Sequence, residues 1–159
     1  MELEIYWHKP VSLIPGQKSQ YRTAQHFTYA VAKDLPQSPG VYMFGRFFGE
    51  SFAPLYIGQA GNIENRVWEH FKGNVALMNR IKHDSKIGRR VLIAGEFYAK
   101  PGQRWQKCVS IVEDALIRRA LAEGHVLFNK SGTAIRTHRI RRDGYGCAGF
   151  VPTVFEIER

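Results

Sequence analysis

The sequence predicts a small mixed α/β (α+β) domain: a short, mainly antiparallel three-stranded sheet flanked by helices, with an N-terminal arm and a basic C-terminal extension. Three observations carry this. Two segments alternate at period two and lie close enough to form a hairpin. Later segments repeat apolar residues every three or four positions, and a third alternating segment falls between them. The order β-β-α-α-β-α is a sheet faced by helices. At 159 residues the chain suits one domain, and 44% apolar residues can fill its core.

Residues 1–38 read as an N-terminal extension, because Pro10, Pro15-Gly16, Pro36 and Pro39-Gly40 interrupt regular structure every few positions. One short helix is expected there, at about Thr23 to Lys33, with Thr23 as cap and Phe27, Ala30 and Val31 on one face. From Gly40 to Phe47 the chain alternates, placing Val41 and Met43 on one face and Tyr42 and Phe44 on the other. A turn over Gly49 to Pro54 leads into Leu55-Tyr56-Ile57-Gly58, with Leu55 and Ile57 sharing a face and Tyr56 turned away from them. A helix follows at about Asn62 to Lys72, with Asn62 as cap, Gly73 as stop and Ile63, Val67 and Phe71 as its inner stripe. A second helix, about Val75 to His83, turns Val75, Met78 and Ile81 inward. Arg89 to Ala99 is the third strand, and a long helix runs from about Gln103 to Glu123, ended by Gly124. The core domain is thus residues 39–130. Residues 131–159 form a basic segment expected to pack on it, with a turn at Tyr145 to Gly149 and a strand-like stretch from Phe150 to Ile157.

The charge balance points to a polyanionic partner. Lys plus Arg number 23 against 14 Asp plus Glu, a net charge of +9, with a pI near 9.8. Lys130, Arg136, Arg139, Arg141 and Arg142 lie in a run without an acid, suited to tracking a phosphate backbone. Lys82, Lys86, Arg89 and Arg90 form a second basic group. The two cysteines, Cys108 and Cys147, supply neither a disulfide framework nor a Cys-based zinc site. No apolar run approaches the ~20 residues of a spanning helix, and Met1-Glu2-Leu3-Glu4 is acidic where a secretory leader is basic. A cytoplasmic or nucleoid-associated protein with no membrane partner is expected.

Three features could carry chemistry. Glu113 has Val109, Leu116 and Ile117 as helical neighbours, so its carboxylate either reaches water at a boundary or is partnered by a cation. Arg66 and His70 are one turn apart and can present a guanidinium and an imidazole to one point, or can line a solvated face. Tyr42 and Tyr56 stand on adjacent strands, as half-buried sheet residues or with hydroxyls in a polar site.

Taken in order, Gly40-Val41-Tyr42, Tyr56-Ile57-Gly58, Arg66 with His70, Glu113, and Leu127-Phe128-Asn129 resemble the motif set of the GIY-YIG nuclease superfamily. The stretch from Leu55 to Phe71 is the most specific part, and the resemblance covers about residues 39–130. Val41 stands for the Ile of the first tripeptide, and Ala60 stands where the family often has a hydroxyl residue. The resemblance implies a metal-dependent endonuclease that hydrolyses phosphodiester bonds in DNA and leaves 5′-phosphate and 3′-hydroxyl ends. It implies one Mg²⁺ or Mn²⁺ on Glu113, with Arg66 on the scissile phosphate. Tyr42, Tyr56 and His70 would handle the attacking water and its proton, and Asn129 would orient the site. Double-stranded DNA is the expected substrate of a compact, stand-alone or restriction-like enzyme, and cutting both strands would call for a homodimer. The rival is a catalytically silent nucleic-acid-binding module on the same fold.

Overall fold

The predicted hairpin forms as two long strands in the computed structural model, which describes residues 2–15, 27–29, 35–129, 137–141 and 154–158. Strands β1 (Ile5–Trp7), β2 (Val11–Pro15) and β3 (Phe27–Tyr29) precede the hairpin strands β4 (Gly40–Phe48) and β5 (Ser51–Ala60). Helices α1 (Ile63–Gly73) and α2 (Val75–Lys82), strand β6 (Arg89–Phe97) and helix α3 (Trp105–Ala122) follow. Strands β7 (Thr137–Arg141) and β8 (Val154–Glu158) pair antiparallel in residues 130–159, a compact unit separate from residues 1–129.

The three expected strands, β4, β5 and β6, form one side of a larger sheet. Its order is β3-β2-β6-β4-β5, with β1 also on β6, and every pairing is antiparallel. The segment read as an irregular arm therefore supplies strands to the far side of β6. Phe27–Tyr29 is the strand β3 where a helix is expected from the sequence, and the proposed cap Thr23 lies outside the described residues, as do Ala30 and Val31. The cause is non-local: short segments beside Pro10 and Pro15 gain their ladder bonds from β6 and from each other. Glu96 of β6 helps hold this edge, accepting from Ser38 Oγ at 2.6 Å and pairing with His8 Nε2 at 3.2 Å.

The sheet's faces divide the core. Tyr42, Phe44, Leu92 and Ala94 pack with Ile63, Val67 and Phe71 of α1 and with Leu77, Met78 and Ile81 of α2. On the opposite face Val41 and Phe97 meet Cys108 and Val109 of α3, and Ile57 meets Ile117 and Ala120. Two expectations fail in detail. Val75 is 37% exposed, and Leu77 takes the inward place beside Met78 and Ile81. The link expected over residues 49–54 is mostly strand, with the reversal tightened to Gly49-Glu50 and Gly49 at φ 59°.

The register then slips. Phe44 pairs with Tyr56 and Gly45 with Pro54, leaving Leu55 as a bulge. Pro54 has no N–H for the ladder, and a bulge is where a strand tolerates it. Leu55 consequently joins the α1/α2 core instead of sharing a face with Ile57. Among the described residues no helix is long and apolar enough to cross a membrane.

Candidate active site

Four of the predicted residues converge where β4 and β5 lie beneath α1. Asn62 caps that helix by accepting from the Asn65 N–H at 2.9 Å. This fixes the helical phase that turns Val67 and Phe71 into the core and brings His70 over the sheet. Tyr42 Oη lies 2.6 Å from His70 Nε2. The Tyr56 ring sits 6.2 Å from that of Tyr42 and 5.4 Å from that of His70, centroid to centroid. Phe44 meets the His70 ring edge-to-face at 5.9 Å and closes the cluster from within the core.

Glycine at position 58 is what lets the tyrosines approach. A Cβ there would stand 2.6 Å from both Cζ and Oη of Tyr42 and 3.0 Å from Cε1 of Tyr56. The final glycine of Tyr56-Ile57-Gly58 is thus a packing requirement of the tyrosine pair. Gly40 is required in the same way, since a Cβ would run into the carbonyl oxygen of Gly95 on β6.

The four side chains differ in access. Tyr42 is 1% exposed and His70 3%, whereas Tyr56 is half-buried and Arg66 reaches solvent with 49% of its side chain exposed. Burial pushes the Tyr42 phenol well above the usual tyrosine range, with a smaller push from Tyr56, while the Arg66 guanidinium pulls the other way. Burial, reinforced by Arg66, lowers His70 to about 4. At neutral pH the pair is therefore a neutral phenol bonded to a neutral imidazole. Arg66 Nη1 donates to Glu69 Oε2 at 2.7 Å, an exposed pair one turn along the helix.

Glu113 lies on α3, which packs on the opposite face of the sheet from the tyrosines. Its neighbour is Gln59 of β5. Burial raises the Glu113 carboxyl above the usual carboxylate range, Asp114 adds to this, and hydrogen bonding from Gln59 opposes it. Among the described residues it has no ion-pair partner within 4.0 Å. A half-buried carboxylate without a counter-charge is a fit ligand for a hard cation. No group of three or more His, Cys, Asp or Glu that could hold a metal ion occurs among the described residues.

Asn129 serves edge strand β5. The Ile57 N–H donates to its Oδ1 at 3.1 Å, and its Nδ2 donates to the Ile57 carbonyl at 2.6 Å. The side-chain amide thus takes the place of a neighbouring strand's peptide group beside Tyr56. It positions the strand rather than meeting a substrate with both polar ends.

Of the predicted nucleic-acid contacts, Arg139 and Arg141 lie on β7, while Lys130, Arg136 and Arg142 lie outside the described residues. In the second basic group Arg90 is turned inward. Its guanidinium donates to the carbonyls of Ile81, Asp84, Lys86 and Gly88 at 2.7–3.0 Å and fastens the turn before β6. Sequence reading also passed over Asn74, which adjoins His70. Its signal is an Asn just after the Gly73 stop and just before a second apolar-periodic stretch, the pattern of an N-cap.

No protein-family profile matches the chain, and no solved structure matches it. The chain is similar to UvrABC system protein C of Neisseria meningitidis serogroup B (strain ATCC BAA-335 / MC58), at 41% identity over 68 residues. That stretch covers 39% of this chain and 10% of the other protein, so the chain spans only a small part of that relative's length.

Proposed function

We propose that the protein is a metal-dependent endonuclease of the GIY-YIG type that hydrolyses phosphodiester bonds in double-stranded DNA. The observation that carries this reading is the closed cluster of Tyr42, His70 and Tyr56 with Arg66 at its solvent side. The net charge of +9 supports a polyanionic substrate. Hydrolysis forms a bond from a water oxygen to phosphorus and breaks the bond to the 3′ oxygen, leaving a 5′-phosphate and a 3′-hydroxyl. Arg66 and Tyr56, the members with access to solvent, grip the scissile phosphate: the guanidinium fork matches its oxygens, and the Tyr56 hydroxyl donates to one of them. Tyr42 acts from beneath. Its buried phenol keeps its proton in the free protein and orients the water network around Tyr56. Glu113 would hold Mg²⁺ or Mn²⁺, which would supply charge stabilisation to the leaving oxygen and to phosphorus. Because α3 packs on the face of the sheet opposite the tyrosines, the carboxylate would act from across the end strand β5, beside Gln59.

Plasmid and linear duplex cleavage by wild type and Glu113→Gln, with Mg²⁺, Mn²⁺ or EDTA, tests the proposal. Wild type should cut only with metal. The variant should keep DNA affinity and lose cleavage by about two orders of magnitude or more. Wild type that binds duplex but cuts none under any metal would leave a nucleic-acid-binding module as the reading.

A further inference from the structure

We propose that Asn74 is a positioning residue that fixes His70 as the Nε2–H tautomer, so that His70 donates a hydrogen bond to Tyr42 rather than accepting the Tyr42 proton. Asn74 is the joint between α1 and α2. The Asn74 backbone N–H donates to the His70 carbonyl at 3.1 Å and closes α1. Its Oδ1 accepts the Leu77 N–H at 3.3 Å and opens α2. Both jobs belong to one residue, and the second settles which way its amide points. With Oδ1 engaged by a donor, the group facing His70 Nδ1 at 3.2 Å is Nδ2.

An amide NH₂ only donates, so Nδ1 must offer its lone pair. A neutral imidazole carries one N–H, which therefore sits on Nε2 and points at Tyr42 Oη, 2.6 Å away. The Tyr42 oxygen spends one lone pair on this bond, and its own proton is left to point elsewhere. Tyr56 and Arg66 are the groups close enough to act on that hydroxyl. Arg66 has no acceptor, so the proton turns toward Tyr56 and the solvent side. The sequence Asn74, His70, Tyr42, Tyr56 is then a directed chain of hydrogen bonds running outward from the helix joint. In it His70 stabilises negative charge gathering on the Tyr42 oxygen and does not take the proton away.

The catalytic consequence rests on the nuclease reading, but the tautomer does not, and the experiment separates them. Ring ¹⁵N resonances of the intact protein are recorded near neutral pH, with His70 assigned through His70→Gln. Wild type should show an unprotonated Nδ1 and a protonated Nε2. Asn74→Asp offers an acceptor to Nδ1 while remaining a good helix cap, so the ring should switch to the Nδ1–H form with α1 and α2 intact by circular dichroism. Cleavage should then fall by about tenfold or more with KM little changed, as when a wrong tautomer is imposed on a catalytic imidazole. Asn74→Ser, which keeps a cap but has no amide, should give a mixture of the two tautomers. An Nδ1–H tautomer or an imidazolium in wild type, or no change in Asn74→Asp, overturns the proposal. The stated tautomers without metal-dependent cutting by wild type would overturn the nuclease reading alone.

Discussion

Substituting Gly58 by alanine tests the architecture of the tyrosine cluster directly. The new Cβ would stand 2.6 Å from Tyr42 Cζ and Oη, against about 3.5 Å for ordinary contact, so roughly 0.9 Å must be found. Tyr42 cannot give it cheaply, because the ring is 1% exposed and packed edge-to-face on Phe44 at 5.9 Å. If the phenol yields, its 2.6 Å bond to His70 lengthens toward the limit of a hydrogen bond. Overpacking of this kind costs about 1–3 kcal/mol, and a buried bond stretched to breaking adds about 1 kcal/mol. Urea denaturation should therefore show Gly58→Ala less stable by about 2–4 kcal/mol. Cleavage should fall by about 100-fold, the scale of an ångström-size misplacement. Gly73→Ala is the matched control: it lies at the end of α1 with nothing within 4 Å of a Cβ, and it should be neutral or stabilising by up to about 1 kcal/mol. A Gly58→Ala protein within about 0.5 kcal/mol of wild type would refute the packing argument.

Three further outcomes follow from the same geometry. His70 is held at about 4 against an ordinary 6.5, so between those values the unfolded chain binds the extra proton; stability should fall as pH drops through that window and level off below it. The loss is of order 3 kcal/mol, and comparing urea midpoints of wild type and His70→Gln across pH should isolate it; identical slopes would count against a buried neutral imidazole. Asn129→Ala removes both bonds to Ile57, with an expected cost of about 1–3 kcal/mol and a marked loss of hydrogen-exchange protection at the Ile57 amide, whose continued protection would sink the idea. Arg90→Ala should cost about 2–3 kcal/mol and Arg90→Lys should recover little of it, since an ammonium cannot span four carbonyls; a change below about 0.5 kcal/mol in chemical denaturation would return Arg90 to the surface charges.

What could be read beforehand was local. Period-two alternation separated Tyr42 from Val41, and four-residue spacing put Arg66 beside His70, because both follow from backbone geometry alone. Asn62 and Gly124 marked helix ends for the same reason, Gly124 adopting φ 80° just beyond α3. The misses depend on partners that periodicity along the chain does not reveal, some distant in sequence and some within a turn. Strands β1 and β2 exist through β6, which no window around Pro10 contains. Arg90 looked like one of several surface cations, and only the closed turn over residues 81–88 reveals four carbonyls aimed at its guanidinium. Leu55 kept its place in the alternation on paper, yet the bulge beside Pro54 sent it to the other face. Asn74 was legible as a cap, but its second task needed the position of the His70 ring.

The pin on β5 also bears on how two copies could meet. β5 ends the sheet, and an end strand offers its unpaired peptide groups to any other extended chain. Here the Leu55 carbonyl accepts the Phe128 N–H, and both peptide groups of Ile57 are taken by Asn129. That stretch of the border is sealed against strand exchange and fibre-like stacking. Any pairing of subunits for a double-strand cut must therefore use a surface other than this one, and the sealed edge keeps Tyr56 from being drawn into a neighbour's sheet.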